Sequence, residues 1–232
     1  MKHQILVAAM LAVCTTAFAQ GQEKKVKITQ TSQLDYVVAN DGRTKDGLYY
    51  VRNTTNDAVM VQGHYKNNER AGTWYFFDGK ANLTMRYSYD QKKMLYIDPA
   101  SLKNVAVHVL SEDADVAKNA SAPLPLCPVD YYITLIGNAI YNNYYESANE
   151  NLTAEITAHI DDKGKAVYTV AYLVKDKKTP EKQIELNVPF PIEWVPSAYK
   201  DKALPSEFTV YAKIQPNTVA DNDSRRFRWD NE

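Results

Sequence analysis

Cysteine, long apolar runs and an excess of one charge are all missing from this sequence of 232 residues. The two cysteines, Cys14 and Cys127, are too few for the disulfide-stapled scaffold of a small secreted domain. Residues 5–13 form an apolar run of only nine residues, whereas a helix needs about 20 to cross a bilayer. The 27 basic and 28 acidic residues nearly cancel. This balance excludes a polycation that binds nucleic acid and an acidic disordered tail.

The first residues have the pattern of a cleaved export signal. The apolar run follows a short basic start, and Ala17-Phe18-Ala19 is the small-x-small pattern that signal peptidase recognises. We therefore predict a signal peptide over residues 1–19 and a mature chain that begins at Gln20, in the periplasm or secreted. This junction resembles those of exported proteins of Bacteroidetes-type bacteria. Acylation at Cys14 would make a lipoprotein instead, but Val13 stands where the lipobox has a small residue.

Glycine and proline are few and unevenly distributed, which divides the chain into two halves. Five of the 8 glycines lie within residues 42–79, and nine of the 10 prolines lie in the second half. We predict a β-hairpin domain over 20–110, a linker over 111–129, an α+β domain over 130–214 and a solvated polar tail over 215–232. Once the signal is removed, no segment is long and apolar enough to span a membrane.

Aromatic residues are plentiful and predict β-structure in the first half. The chain has 17 tyrosines, and turn signals such as Asp41-Gly42 and Asp78-Gly79 separate short aromatic runs. Residues 47–50 and 72–75 have similar sequences 25 positions apart, a period that is typical of stacked hairpins. The predicted fold class is α+β, mostly β, with antiparallel hairpin repeats followed by a small domain that has one main helix.

The stretch 63–80 resembles the MORN-like repeat of the YwqK antitoxin-type family. A unit of that repeat consists of tyrosine, a turn, a basic residue, glycine, any residue and tryptophan, followed by aromatics and a second turn. The matching positions in this sequence are Tyr65, Arg70, Gly72 and Trp74. The resemblance covers about residues 41–97. It implies a sheet-forming module that binds or spaces, rather than an active site.

The second half has the signals of one helix and several strands. Helical spacing of apolar residues predicts an amphipathic helix over 130–145, with Asp130 as its N-cap. Period-two alternation and a turn predict that the strands 152–160 and 166–174 form a hairpin. A short helix is predicted to start near Thr179-Pro180. The last strand is predicted over 207–214.

Residues 131–213 resemble the C-terminal domain of TonB-type energy transducers. The hairpin segment 156–165 and the Trp-Pro segment 194–210 carry this resemblance. It implies a fold in which a helix precedes an antiparallel sheet. The chain lacks the retained membrane anchor and the long proline-rich spacer of those transducers, so the resemblance implies the fold and leaves the role open.

Catalytic and metal-binding motifs are absent from the sequence. The three mature histidines, His64, His108 and His159, are far apart and none has metal-ligand spacing. A nucleophile elbow, a Walker loop and a dinucleotide glycine fingerprint are also absent. We predict no catalytic residue, no cofactor and no metal. The alternative is an enzyme whose site is assembled from residues remote in sequence.

Binding is therefore the predicted function. The expected partner is an envelope protein or peptide, or a second copy of this chain, and not a nucleic acid. As candidate contacts we take Phe208, Val210 and Ala212, because the edge of the last strand could pair with an extended backbone. The alternative candidates are Trp74 and Tyr75, whose rings would stack on a glycan or a peptide if they are exposed.

Overall fold

The structure is a computed structural model, and it describes residues 21–141, 152–174, 177–215 and 226–229. These residues are mostly β, as predicted, with few helices. Two antiparallel sheets of seven strands each account for most of them. No described helix has the length and apolar character needed to cross a membrane. The predicted signal peptide, residues 1–19, lies outside the described residues.

The first sheet is a meander in which every strand pairs with the next. Its strands are β1 (Gln22–Lys27), β2 (Ser32–Val38), β3 (Lys45–Asn53), β4 (Val59–Lys66), β5 (Glu69–Phe77), β6 (Leu83–Ser88) and β7 (Lys93–Ile97). Tight turns make this order possible: β4 and β5 are joined by Asn67 and Asn68, both at positive φ, as a two-residue hairpin loop requires. The predicted antiparallel hairpins of the first half are thus confirmed.

The second sheet is built from strands that are remote in sequence. After a 3₁₀ helix (Pro99–Leu102), the elements are β8 (Val105–Val109), α1 (Ala114–Asn119), β9 (Leu124–Pro125), α2 (Val129–Tyr141), β10 (Leu152–Ile160), β11 (Ala166–Val174), β12 (Lys177–Lys178), β13 (Lys182–Ile184), β14 (Trp194–Val195), β15 (Ser197–Tyr199), β16 (Lys202–Leu204), β17 (Ser206–Gln215) and β18 (Arg226–Trp229). The strand order is β12-β11-β10-β17-β18, while β13 also pairs with β11 and β8 also pairs with β17. Two short pairs, β9 with β14 and β15 with β16, stand apart.

Helix α2 lies between the two sheets. The Tyr131 hydroxyl is 3.1 Å from that of Ser32 in the first sheet, whereas the Tyr132 ring contacts Tyr168 and Phe208 in the second. Between residues 131 and 140, only Thr134 is exposed. The prediction of an amphipathic helix is therefore wrong in one respect: this helix buries nearly its whole surface, because it has a sheet on two sides.

The segment 111–129, predicted as a linker, contains secondary structure, and its last residues are part of the core. It contains α1 and β9, and Leu126 and Cys127 are buried. Strand β8, placed in the first domain by the sequence, pairs with β17 of the second sheet. The two sheets also share one hydrophobic core. The composition indicated a linker here because proline and small residues favour an irregular backbone. An irregular backbone can nevertheless be buried, which the composition does not reveal.

Local predictions in the second half were mixed. The hairpin of β10 and β11 has the predicted bounds, and its strands pair from Thr153↔Leu173 to Ile160↔Ala166. The predicted helix at Thr179-Pro180 is wrong, since β12 and β13 flank these residues and both pair with β11. Asp130 does not cap α2 from outside but lies in its first turn. The predicted tail contains β18, which pairs with β17.

Cys127 is fully buried, and its thiol donates a hydrogen bond to the Pro128 carbonyl at 3.4 Å. Burial raises the pKa of this thiol well above its usual value, and Asp130 acts in the same direction. Because the thiolate is the reactive form, we expect no reaction with a disulfide reagent such as DTNB at pH 8 in the folded protein. The same reagent should label the chain fully in guanidinium chloride. Fast labelling without denaturant would contradict this placement.

Candidate functional site

The predicted contact strand, β17, is not an edge. It pairs with β10 on one side, and β8 and β18 cover the other side. Its candidate residues Phe208, Val210 and Ala212 are fully buried. The sequence shows that apolar and polar side chains alternate along this strand, but it does not show that two remote strands pair with it. The expectation that its edge is open to a partner is therefore wrong.

The other two candidates lie on opposite faces of β5. Trp74 is fully buried and its ring contacts Tyr49, Tyr65 and Tyr89, so it belongs to the core. Tyr75 points the other way and is partly exposed. Successive side chains of a strand alternate between its two faces, so only one of the neighbours could face solvent.

A groove of about 470 Å³ opens where β13 separates from β11. The two strands pair from Val170↔Lys182 to Tyr168↔Ile184, and the pairing ends there. Residues 185–193, here called the strap, then run without regular secondary structure to β14. The groove lies between the strap and the start of β11, including the turn 163–165. Its volume is within the range of small-ligand and peptide sites.

Both walls of the groove have main chain without a strand partner. On the β11 wall, the N–H and C=O groups of Ala166 point away from β10 and no described strand pairs with them, whereas those of the neighbouring Val167 point toward β10. On the opposite wall, the backbone N–H groups of Leu186, Asn187 and Val188 form no hydrogen bond with any described residue. Val188 precedes a proline, which favours an extended backbone. The groove is thus bounded by two extended segments, each of which has backbone groups that form no hydrogen bond with the described residues.

The floor of the groove is aromatic and rigid. Tyr168 and Trp194 are buried, and the Trp194 indole N–H donates a hydrogen bond to the Tyr168 hydroxyl at 3.0 Å. Burial raises the pKa of Tyr168 to about 12, although the hydrogen bond from Trp194 opposes the shift. Partly buried Leu186, Val188 and Ile192 add apolar surface, and the lining also includes Lys163, Lys165 and Glu193. Such a lining suits alternate apolar side chains of a bound strand.

One end of the groove is closed by Gly164 in the β10–β11 turn. Its φ of +78° lies in the left-handed region, and a Cβ added there would be 2.5 Å from the Trp194 carbonyl oxygen. Only glycine permits both this backbone angle and this close approach. Gly164 therefore sets the distance between the turn and β14.

The second half of the strap is anchored to the first sheet by Arg70. The Arg70 side chain, only 3% exposed, donates to the Pro191 carbonyl at 2.9 Å and pairs with the Glu193 carboxylate at 3.2 Å. The Tyr89 hydroxyl donates to the same carboxylate at 3.0 Å. Burial alone would lower the pKa of Arg70, but the oxygens of Tyr89, Glu193 and Tyr65 outweigh it and raise the pKa above its usual value. The guanidinium therefore stays charged, and its interactions with the Pro191 carbonyl and the Glu193 carboxylate fix the strap.

Two histidines that are distant in sequence meet at one carboxylate on the outer face of the second sheet. His108 and His159 approach the Glu207 carboxylate at 3.4 Å and 3.2 Å. Their meeting follows from the order β8-β17-β10, which sequence spacing could not reveal. Within the described ranges, no group of three or more His, Cys, Asp or Glu side chains is placed to hold a metal ion.

A smaller cleft of about 270 Å³ lies where α2 meets the first sheet. Its carboxylates already have backbone partners: Asp130 accepts from the Gly79 N–H at 2.8 Å, and Asp78 and Asp98 accept from the N–H groups of their own turns. Burial raises the pKa of Asp130, against the effect of these hydrogen bonds. The cleft therefore has a structural explanation as the joint between helix and sheet.

Comparisons with known proteins give no further guide to the groove. No family model, no curated protein and no solved structure matches this chain. The sequence held one signal for the strap: Val188-Pro189-Phe190-Pro191 has two residues that precede proline, which predicts an extended path. The sequence did not indicate which strand this path would leave, so the groove was missed.

Proposed function

We propose that this protein is an exported, non-enzymatic binding protein of the bacterial cell envelope. We further propose that it binds an extended peptide of an envelope partner in the groove between β11 and the strap. The signal-like residues 1–19 support export. The resemblances to MORN-like repeats and to the TonB C-terminal domain support a binding role, and the absence of sequence motifs for catalysis favours it over an enzyme.

The observation that carries the peptide proposal is the unpaired main chain on both walls. A peptide strand placed between Ala166 and residues 186–188 would gain backbone hydrogen bonds without displacing any that the described residues form. Its alternate side chains would contact the apolar lining around Tyr168 and Ile192. The strap is fixed by Arg70 and Glu193, so one wall is organised before the ligand arrives, which lowers the entropic cost of binding.

Proline substitutions in the strap test this proposal directly. In an extended chain, neighbouring N–H groups point in opposite directions, so one of Asn187 and Val188 must direct its N–H across the groove. Neither N–H is used by the described residues, so Asn187→Pro and Val188→Pro should fold normally. One of the two should weaken peptide binding about tenfold, the cost of one lost hydrogen bond to a well-placed acceptor. The matched controls Asn187→Ala and Val188→Ala retain the N–H and should bind like the wild type.

The probes are decapeptides selected from a random display library on the wild-type protein and measured by fluorescence anisotropy. We expect the selected peptides to be rich in β-branched residues, with the wild type binding them at micromolar concentration. Failure to select any peptide, or affinities that both proline variants leave unchanged, would refute binding in this groove. Circular dichroism of each variant separates lost binding from lost fold.

A further inference from the structure

Three tyrosines form a row across the outer face of the first sheet. Tyr50 on β3 lies opposite Gln62 on β4, which lies opposite Tyr75 on β5. Tyr75 in turn lies opposite Arg86 on β6, which lies opposite Tyr96 on β7. Residues opposite each other in adjacent strands share one face. The row therefore alternates tyrosine with a polar side chain, strand by strand.

These three rings take no part in the core. None of them packs against another aromatic ring among the described residues, and their hydroxyls form no hydrogen bond there. Tyr96 is 40% exposed, and Tyr50 and Tyr75 are partly exposed. The inner-face rings of the same strands, such as Trp74, are buried and in mutual contact. Guanidinium groups lie over two of these rings, that of Arg52 over Tyr50 at 5.1 Å and that of Arg86 over Tyr96, so the Tyr75 ring and the opposite faces of the other two are left for a ligand.

The polar residues between the tyrosines are Gln62 and Arg86. The Arg86 Nε atom is buried, so only the terminal N–H groups of its guanidinium could reach a ligand on the surface. Its guanidinium lies over the Tyr96 ring, 5.8 Å from the ring centre, and covers part of one face of that ring. Gln62 offers both a donor and an acceptor. An occupant that matches this row must combine flat apolar faces with hydroxyl or carbonyl groups.

The spacing of the row selects an occupant. Neighbouring strands are about 4.8 Å apart, so tyrosines on alternate strands are about 10 Å apart. This is close to the length of one disaccharide unit in an extended β-linked polysaccharide. Each sugar ring has an apolar C–H face that stacks on an aromatic ring, and its equatorial hydroxyls point sideways toward groups such as those of Gln62 and Arg86. A peptide strand has no flat apolar rings at this period.

We propose that the row Tyr50–Tyr75–Tyr96 binds a single chain of an extended β-linked polysaccharide, laid across the strands of the sheet. Sheets twist by about 20° per strand, so the three rings turn relative to one another and fit an isolated chain better than a flat crystalline surface. This site lies on the first sheet and is separate from the groove, so it stands whether or not the groove binds a peptide.

The test measures binding of defined soluble sugars by isothermal titration calorimetry. The probes are the β-1,4-linked hexasaccharides of glucose and of N-acetylglucosamine, with the α-1,4-linked glucose hexasaccharide as the control for chain shape. We expect one or both β-linked probes to bind and the coiled α-linked probe not to bind. Binding of all three with equal affinity, or of none at millimolar concentration, would overturn the proposal.

Variants of the row assign the contact to the tyrosines. Tyr75→Ala and Tyr96→Ala should each weaken binding about tenfold, whereas Tyr96→Phe should retain it because the ring face remains. Leu95→Ala is the matched control, since Leu95 is equally exposed on the same strand but outside the row. If sedimentation shows instead a wild-type dimer that Tyr75→Ala and Tyr96→Ala dissociate, the face is an interface between copies and the proposal is wrong.

Discussion

Replacing Gly63 by alanine is expected to lower the free energy of unfolding by about 3 kcal/mol, and the melting temperature by about 10 °C. Gly63 lies on the inner face of β4, and a Cβ added there would overlap the indole ring of Trp74. That ring cannot move aside, because Tyr49, Tyr65 and Tyr89 lie within 5.5 Å of it, centre to centre. Thermal and urea unfolding followed by circular dichroism would measure the loss.

The control for Gly63→Ala is Gly79→Ala. Gly79 is exposed, its φ is not in the left-handed region, and an added Cβ would make only an ordinary contact at 3.5 Å with Asp130. This variant should change stability by less than about 0.5 kcal/mol. If the two variants were equally stable, Trp74 would not be confined as the structure shows.

Removing Arg70 is the second change with a large expected effect. Arg70→Ala should destabilise the fold by about 3 kcal/mol, near the lower end for a broken buried ion pair because its partner Glu193 is half exposed. The variant loses the hydrogen bonds to the Tyr65 and Tyr89 hydroxyls and to the Pro191 carbonyl. It also loses the guanidinium stacked 4.5 Å above the Trp74 ring.

Arg70→Lys should recover only part of this stability, because an ammonium group cannot donate in the planar fork that reaches several acceptors. Arg43→Ala is the control: Arg43 is exposed and its side chain forms no hydrogen bond or ion pair with the described residues, so its loss should be almost neutral. Arg70→Ala should also weaken peptide binding in the groove beyond its effect on stability, since the strap loses its anchor. Full stability in Arg70→Ala would contradict the role of Arg70 as the anchor of the strap.

Local patterns predicted the local part of this fold. The strands 152–160 and 166–174 were predicted with their final bounds, because alternation fixes the strands and the turn between them fixes their pairing. The turns of the first half likewise predicted antiparallel hairpins. The similarity between 47–50 and 72–75 places Tyr49 and Trp74 together in the core, with 5.3 Å between their ring centres.

Long-range pairing was beyond local patterns. Nothing in the five residues of β8 indicates which strand they pair with, so the sequence placed them in the first domain and left β17 as an edge. The candidate site was misplaced for the same reason: Phe208, Val210 and Ala212 were chosen for an edge that β8 and β18 cover. Of the five candidates, only Tyr75 has its side chain toward solvent. Alternation of residues along a strand predicts that the strand has two faces, but it does not tell which face is buried.

The pairing of β8 with β17 also sets the order in which this chain can fold. His108 and Glu207 are 99 positions apart, so the second sheet closes only after almost the whole chain is present. Topologies dominated by such distant contacts fold slowly, because the chain loses the entropy of closing a long loop before the contact stabilises it. The nascent chain would therefore remain incompletely folded during synthesis.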